Sequence, residues 1–450
     1  LETFRRWKLE GSGRKEELLR EAANISGIYV PSLYHVDYGD DGTILSIEPT
    51  APGVSSSIRR RMVASLPSPL TRPVVPYLET VHDRAAIEIQ RGCTRGCRFC
   101  QAGIIYRPLR DRPQEEVLEA TDELLKNCGY NELSLLSLST SDYCGIEGLV
   151  SALMARYQDH HLKLSLPSLR MDSTSVRLMD LLVSGKRGGL TFAPEAGSER
   201  LRRVINKSVS EEELLQAVST AAGGGWTGVK LYFMLGLPTE TSHDIEGIVE
   251  LVHRLCQAGS KAKGRPFHMR VSASAFVPKA HTPFQWVAQN GEQELRAKIE
   301  VLRRGLKRSG AHLSWQEPCM SLLEGVMARG DRRLAETVYR AWQTGCTFDA
   351  WSERFDYEKW LHAFADSGIE PAFYANRERP VDELFPWAHI DIGISTDFLR
   401  REYECTYEGK ETEDCRYGQC SACGLEHWHP SCQKRYQAAA SNTDASRRSS

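Results

Sequence analysis

Between residues 86 and 278, short apolar runs alternate with longer stretches whose apolar residues recur every three or four positions. The runs 86–90, 132–140, 162–170, 190–197, 229–238 and 269–278 have the length and aliphatic content of buried strands. Between them, 115–129, 148–158, 175–186, 210–225 and 243–259 carry the period of helices packed on one face. The fourth of these opens on Ser210-Glu211-Glu212-Glu213, where serine and glutamate can satisfy each other's backbone N–H groups as a capping box. Six strands separated by helices predict an α/β fold with a parallel sheet and right-handed crossovers. Six repeats are too few for a closed eight-fold barrel, which leaves a partial barrel or an open sheet. Either form holds its chemistry at the carboxyl ends of its strands. The polar and Gly/Pro-rich clusters RGCTRGC, LSTSDY, SLRMDS, APEAGS, LGLPTE and FVPKAHTPF fall there.

The flanks have a different texture. Residues 1–25 read as a charged helix broken by Gly11-Ser12-Gly13, and 26–80 as short strands and loops rich in Pro, Gly, Ser and Val. Residues 287–400 alternate charged helical stretches with aromatic loops. Seven of the nine tryptophans lie beyond residue 285, suited to packing or to stacking on a base. The basic segment 324–334 reads as a contact for an anionic partner or as a solvated helix. The divisions expected are a connector over 1–80, a core over 81–290, a helical extension over 291–400, a cysteine-rich motif over 401–433 and a disordered tail over 434–450.

Composition narrows the classes. Fifty-seven basic residues against 59 acidic ones give a formal charge of −2, so no global field draws this chain to nucleic acid or anionic membrane. No apolar run has the length of a membrane span, and no signal peptide is visible. The first residue is Leu1, which suggests a fragment or a processed form. Thirteen cysteines, an odd number without secretory features, point to a reducing compartment, cytoplasmic or organellar, and not to a disulfide framework. Cys128, Cys256, Cys319 and Cys346 are scattered and read as small buried apolar residues. Cys144 stands apart because it follows a candidate site loop.

The remaining cysteines cluster. RGCTRGCRFCQAG (91–103) places Cys93, Cys97 and Cys100 in C-x3-C-x2-C spacing on the loop after the first strand. Three thiolates on one short loop can hold three corners of a cubane iron–sulfur cluster and leave one iron open. Gly92 and Gly96 let the loop turn tightly. Arg91, Arg95 and Arg98 are expected to set positive charge beside the thiolates. Structural zinc takes four ligands, and no fourth stands nearby in sequence.

That motif, with Phe99 before its last cysteine and a β/α repeat around it, resembles the radical S-adenosylmethionine (SAM) superfamily. The segments APEAGSERLRRVINKSVSEEELLQAV (193–218), KLYFMLGLPTET (230–241) and FVPKAHTPFQW (276–286) resemble its fourth, fifth and sixth strand ends. Together with LLSLSTSDY and SLPSLRMDS they resemble a family that pairs an N-terminal cobalamin-binding domain with a radical SAM core. The resemblance spans about 25–430 and implies a partial (β/α)6 TIM-like barrel. It implies a [4Fe–4S] cluster on Cys93, Cys97 and Cys100 and SAM as cosubstrate, cleaved reductively to a 5′-deoxyadenosyl radical. It further implies an electron donor such as flavodoxin or ferredoxin.

By the same resemblance, Phe99, Ser139, Thr140, Asp142, Arg170, Glu195, Met234 and Gly236 are cofactor-binding candidates. Ser139 to Asp142 occupy the place of the methionyl-amine groups, although the commoner form there is Gly-Gly-Glu. Glu195 matches the acid that accepts ribose hydroxyls, Arg170 would meet a carboxylate, and Met234 to Gly236 would line adenine. Lys279 and His281 would face substrate or cobalamin. A cobalamin signature of the Asp-x-His-x-x-Gly type is absent before residue 86, so either the chain begins after such a domain or the protein lost it, and cobalamin is expected only if that domain exists. Methyl or methylthio transfer to RNA or protein is the expected reaction class. A zinc-binding scaffold and an iron–sulfur electron carrier are the alternatives.

A second cysteine group follows at 404–432. Cys415, Cys420, Cys423 and Cys432, with Cys405, His427 and His429 nearby, suit zinc or an auxiliary cluster. Related sequences often carry a further cysteine where this chain has Glu426.

Overall fold

The computed structural model describes residues 1–433 except 12, 79, 82, 159–161, 171–174, 176, 177, 179–189, 208 and 431. The expected helix at 175–186, apart from Ser175 and Leu178, and the tail from 434 lie outside the described residues.

The core strands are β1 (Ala85–Glu88), β2 (Glu132–Leu136), β3 (Lys163–Ser165), β4 (Leu190–Glu195), β5 (Gly228–Leu235), β6 (His268–Ala275) and β7 (His312–Trp315). They form two parallel sheets, β1-β2-β3 and β4-β5-β6-β7. The fold is thus α/β and TIM-like. Among the described residues no pairing joins β3 to β4, so the barrel is not closed. The strands shorten relative to their apolar runs because the last residues of each run turn away as site loops. β7 lies inside the stretch expected to be helical and extends the sheet beyond β6.

The helices between the strands are α1 (Gln114–Cys128), α2 (Ile146–Arg156), α3 (Glu211–Gly223), α4 (Ser242–Lys263) and α5 (Glu292–Leu306). The Ser210–Glu213 capping box at α3 is present. β5 and β6 pair over eight residues, from Gly228 opposite His268 to Leu235 opposite Ala275. Leu231, Phe233 and Val271 on these strands pack against Leu214 of α3, Leu251 of α4 and Leu302 of α5. A separate apolar cluster joins Ile87, Leu133 and Leu135 to α1 and α2. Each fully buried side chain of this size removes roughly 1.5–3 kcal/mol of apolar exposure, which holds the strand ends in register.

The flanking segments brace the core. Helices Glu2–Leu9 and Lys15–Ala23 flank the break around Gly11, and a hairpin joins Tyr34–Tyr38 to Ile44–Pro49. Ile58–Arg59 pairs in parallel with Ile390–Asp391 of the C-terminal third. The basic segment at 324–334 is internal glue. Arg329 is fully buried and donates to the carbonyls of Ala375 (2.7 Å) and Arg377 (3.1 Å), while Arg332 donates to the Tyr34 carbonyl (2.8 Å). No helix is long and apolar enough to cross a membrane among the described residues, and no disulfide joins the cysteines.

Candidate active site

The first cysteine loop hangs from the carboxyl end of β1. Gly92 turns it at φ +90°, and a Cβ there would stand 2.6 Å from the carbonyl oxygens of Tyr106 and Pro108. No other residue fits so close a backbone approach. Cys100 caps the short helix Gln101–Ile105, its Sγ accepting the Gly103 N–H at 3.3 Å. Cys93, Cys97 and Cys100 lie near enough to act electrostatically on one another. Burial pushes all three above the ordinary thiol value. A dry thiol gives up its proton readily only to a metal.

The cations beside this space differ from those expected. Arg91 pairs with Glu88 at 2.6 Å, and Arg98 is fully buried against Glu402 at 3.1 Å. Arg95 binds Asp142. The positive groups that act on the thiols are Arg107 at Cys93, Lys207 and Arg170 at Cys97, and Lys207 at Cys100. Three neighbouring thiols with cations from separate elements suit a cluster held by three ligands, whose net negative charge the cations would offset.

The other strand ends surround the loop. After β2, Ser139 donates to Asp142 at 2.6 Å, and Thr140 is fully buried with its N–H on the Ser168 carbonyl at 2.8 Å. Burial opposes ionisation of Asp142, but the Arg95 and Ser139 hydrogen bonds and the nearby Arg170 outweigh it and hold the carboxyl below the usual range. The Arg170 N–H meets Ser141 Oγ at 3.2 Å. Glu195 ends β4 at φ +69°, a conformation unusual for a side chain of this kind, and accepts from Lys207 Nζ at 2.7 Å. The Lys207 ammonium also lies 5.9 Å from the Phe99 ring centroid. The turn after Glu195 presses on α4, since a Cβ on Gly197 would meet the Ile248 nitrogen at 2.2 Å. Met234 packs with Phe99 in one apolar cluster, and Gly236 turns at φ +87° with its N–H on Glu240 at 2.9 Å.

A segment remote in sequence completes the rim. Asn206 accepts the Thr412 N–H (2.9 Å) and donates to the carbonyls of Thr412 and Gly96 (both 3.1 Å) and Arg95 (3.3 Å). Arg416 donates to the Asp142 carbonyl, and Asp414 lies 3.4 Å from Arg95. Arg95, Arg170, Asn206, Asp414 and Tyr417 line a cavity of about 450 Å3 at this rim. Sequence reasoning assigned no role to Lys207, Asn206, Arg107 or Asp414. Lys207 and Asn206 close the string RRVINK, but nothing local marks the atoms they reach.

The sixth-strand candidates separate. Lys279 is paired with Glu324 at 2.6 Å. His281, at φ +57°, lines a second cavity of about 510 Å3 with Gln285, Trp286, Phe385 and Trp387. Burial lowers its pKa to about 4, so the ring is neutral at physiological pH.

Residues 87–252 match the radical SAM superfamily. An uncharacterised protein of Methanocaldococcus jannaschii is 33% identical over 283 residues, 63% of this chain and 60% of that protein. A threonylcarbamoyladenosine tRNA methylthiotransferase of Treponema pallidum is 25% identical over 210 residues, 45% of this chain and 42% of the enzyme. This chain therefore spans about half the length of the curated relatives it matches. Among solved structures, a cobalamin-dependent S-adenosylmethionine radical enzyme, OxsB, superimposes with TM-score 0.36 and 11% identity over 63% of this chain and 46% of that one.

Proposed function

We propose, from the premise that this chain belongs to the radical SAM superfamily through residues 87–252, that it cleaves SAM reductively and transfers a methyl or methylthio group. The observation that carries this reading is the loop of three neighbouring thiols in C-x3-C-x2-C spacing at the end of β1, with Lys207, Arg170 and Arg107 acting on them. Cys93, Cys97 and Cys100 would hold the [4Fe–4S] cluster, which when bound supplies the electron that opens the SAM carbon–sulfur bond.

The chain's own residues bind and orient. Arg170 and Lys207 would take the methionyl carboxylate, since both guanidinium and ammonium groups face the cluster loop. Glu195 would accept the ribose hydroxyls, its oxygens already turned inward against Lys207. Met234 and the Gly236 turn would cover adenine with apolar and backbone surface. Asp142 would act at one remove, with Ser139 and Thr140, by fixing Arg95 and the loop it belongs to. The segment 411–418 would shut water out of the rim cavity. The methylthiotransferase among the relatives supports the transfer class. The acceptor, RNA or protein, follows from analogy alone.

The test is anaerobic reconstitution with iron and sulfide, then dithionite and SAM, with 5′-deoxyadenosine measured by chromatography. The expected result is product in the parent chain and background in Cys97→Ala. A bound cluster without deoxyadenosine in the parent would overturn the cleavage reading and favour an electron carrier.

A further inference from the structure

The cavity of about 510 Å3 takes no part in holding SAM in the arrangement above, yet it has the size and make-up of a ligand site. Such sites usually enclose about 300–1,000 Å3, walled by apolar and aromatic side chains with a few placed polar groups. One wall is the turn after β6, with His281, Gln285 and Trp286, and the other is a C-terminal stretch with Phe385, Trp387 and Asp391. The cavity stands against the first cysteine loop. Gln101, next to Cys100, donates to the Ala280 carbonyl at 3.0 Å, and Ile104 packs in one cluster with Trp286 and Phe385.

The aromatic wall suits a flat ring. Phe385 and Trp387 stack with centroids 4.9 Å apart, and Trp286 continues the surface 6.1 Å from Phe385. Gln285 sets this surface, because its Oε1 accepts both the Trp387 indole N–H at 3.0 Å and the His281 backbone N–H at 3.1 Å. His281, at φ +57°, thereby places its neutral ring 6.4 Å from Trp387. The polar groups call for donors and acceptors together. Trp286 is fully buried, and its Nε1 has no hydrogen-bond partner. A buried donor left unmade is unfavourable, and an acceptor on a ligand would relieve it. Arg400 Nε, on the same lining, is buried and unpartnered as well. The Asp391 carboxylate accepts the Gly393 N–H at 2.8 Å and, with its other oxygen 4.0 Å from Arg59, keeps lone pairs for a ligand donor. An indole side chain would offer a donor alone. A phosphate would offer acceptors alone and meet Asp382 and Asp391. A nucleobase joins an uncharged flat ring to an edge of donors and acceptors.

We propose that this cavity binds one nucleobase, stacked on the Phe385–Trp387 surface and read by Trp286, His281 and Asp391. The base would be the acceptor of the transferred group. That role rests on the function proposed above, whereas the binding does not.

The experiment is equilibrium dialysis of the anaerobically reconstituted chain against each radiolabelled ribonucleoside, the matching homopolymer RNA, and N-acetyltryptophanamide. One base, as nucleoside or in its polymer, is expected to bind saturably. Binding should weaken about tenfold or more in Trp387→Leu, the loss of one stacking face. It should be unchanged in Trp351→Leu, whose exposed ring lies outside the cavity lining. A polymer that binds more tightly than its nucleoside marks a base presented on RNA, and equal affinity marks a free nucleoside. In the parent, bound ligand should slow hydrogen exchange within 281–287 and 381–400, which decides the case even where Trp387→Leu does not fold. Absence of saturable nucleoside and RNA binding overturns the proposal. Equal affinity in folded Trp387→Leu does so too, as does protection confined to other segments. Tighter binding of N-acetyltryptophanamide would overturn it in favour of a protein acceptor. Deoxyadenosine from a parent that binds no base would sink only this proposal, and base binding without deoxyadenosine only the reaction proposed above.

Discussion

The two cysteine groups are held in place by opposite means. Cys93, Cys97 and Cys100 sit between β1 and a helix that Cys100 itself caps, so strand, turn and helix all lie between Ala85 and Ile105. Cys415, Cys420 and Cys423 lie in a stretch with no strand or helix of its own. That stretch is held by contacts to residues hundreds of positions earlier: Arg98 to Glu402 and the Lys410 carbonyl, Asn206 to Thr412, and Arg416 to Asp142. A local motif carries its own scaffold, whereas the C-terminal group borrows the scaffold of the first. Arg98 lies on the loop that carries Cys93 to Cys100, and Asn206 and Asp142 are themselves bonded to that loop at Gly96 and Arg95, so the order of the second group depends on the first loop being folded.

Breaking the deepest of these contacts should separate the two groups most. Arg98→Met leaves the buried Glu402 carboxylate without its partner and the Lys410 carbonyl without a donor. Such a loss costs about 3–5 kcal/mol. Limited proteolysis should then cut within 409–433 well before the β/α core, while the parent resists at both places. Equal resistance in the two proteins would show that the C-terminal segment does not depend on this anchor.

A smaller effect is expected from Asn206→Ala. It removes the amide that joins the Gly96 and Arg95 carbonyls to Thr412, for about 1–3 kcal/mol by the cost of buried polar groups left unpaired. Denaturant unfolding should show the loss, and hydrogen exchange should rise at both 93–97 and 410–414. A rise confined to one segment would mean that the two do not share the clamp.

The smallest effect is one of pH. The folded Asp142 carboxyl titrates below its ordinary value of 3.8. Its contribution is therefore complete above that value, and it is lost as pH falls from there through the folded value. Unfolding midpoints measured at about pH 6 and about pH 3 should drop less in Asp142→Asn than in the parent. An identical drop would remove Asp142 from the acid-sensitive contacts between the two groups.

Much of the core was legible because its signals are local. Apolar period and turn residues placed six strands and four of the helices, and Ser210 with Glu213 announced the start of α3. β7 escaped because His312–Trp315 is a four-residue edge strand with only Leu313 partly buried against the core, too little for an apolar run. The cysteine spacing singled out the Cys93–Cys100 loop as the candidate site. The charges around it were misjudged because adjacency in sequence says nothing about direction. Arg98 follows Cys97 yet points into the core toward Glu402, while Lys207, over a hundred residues away, reaches the thiols.

What the sequence alone determined, then, is the order of strands and helices, the strand-end position of the site, and the three thiols in C-x3-C-x2-C spacing. Each of these depends on period, spacing or backbone freedom within a few residues. Only the tertiary structure decided which cations act on the thiols, that Asn206 ties the Cys93–Cys100 loop to residue 412, and that Arg107 is buried within reach of Cys93, Cys415 and Cys423. Those facts arise from burial, which forces charges far apart in the chain to find partners wherever packing brings them together.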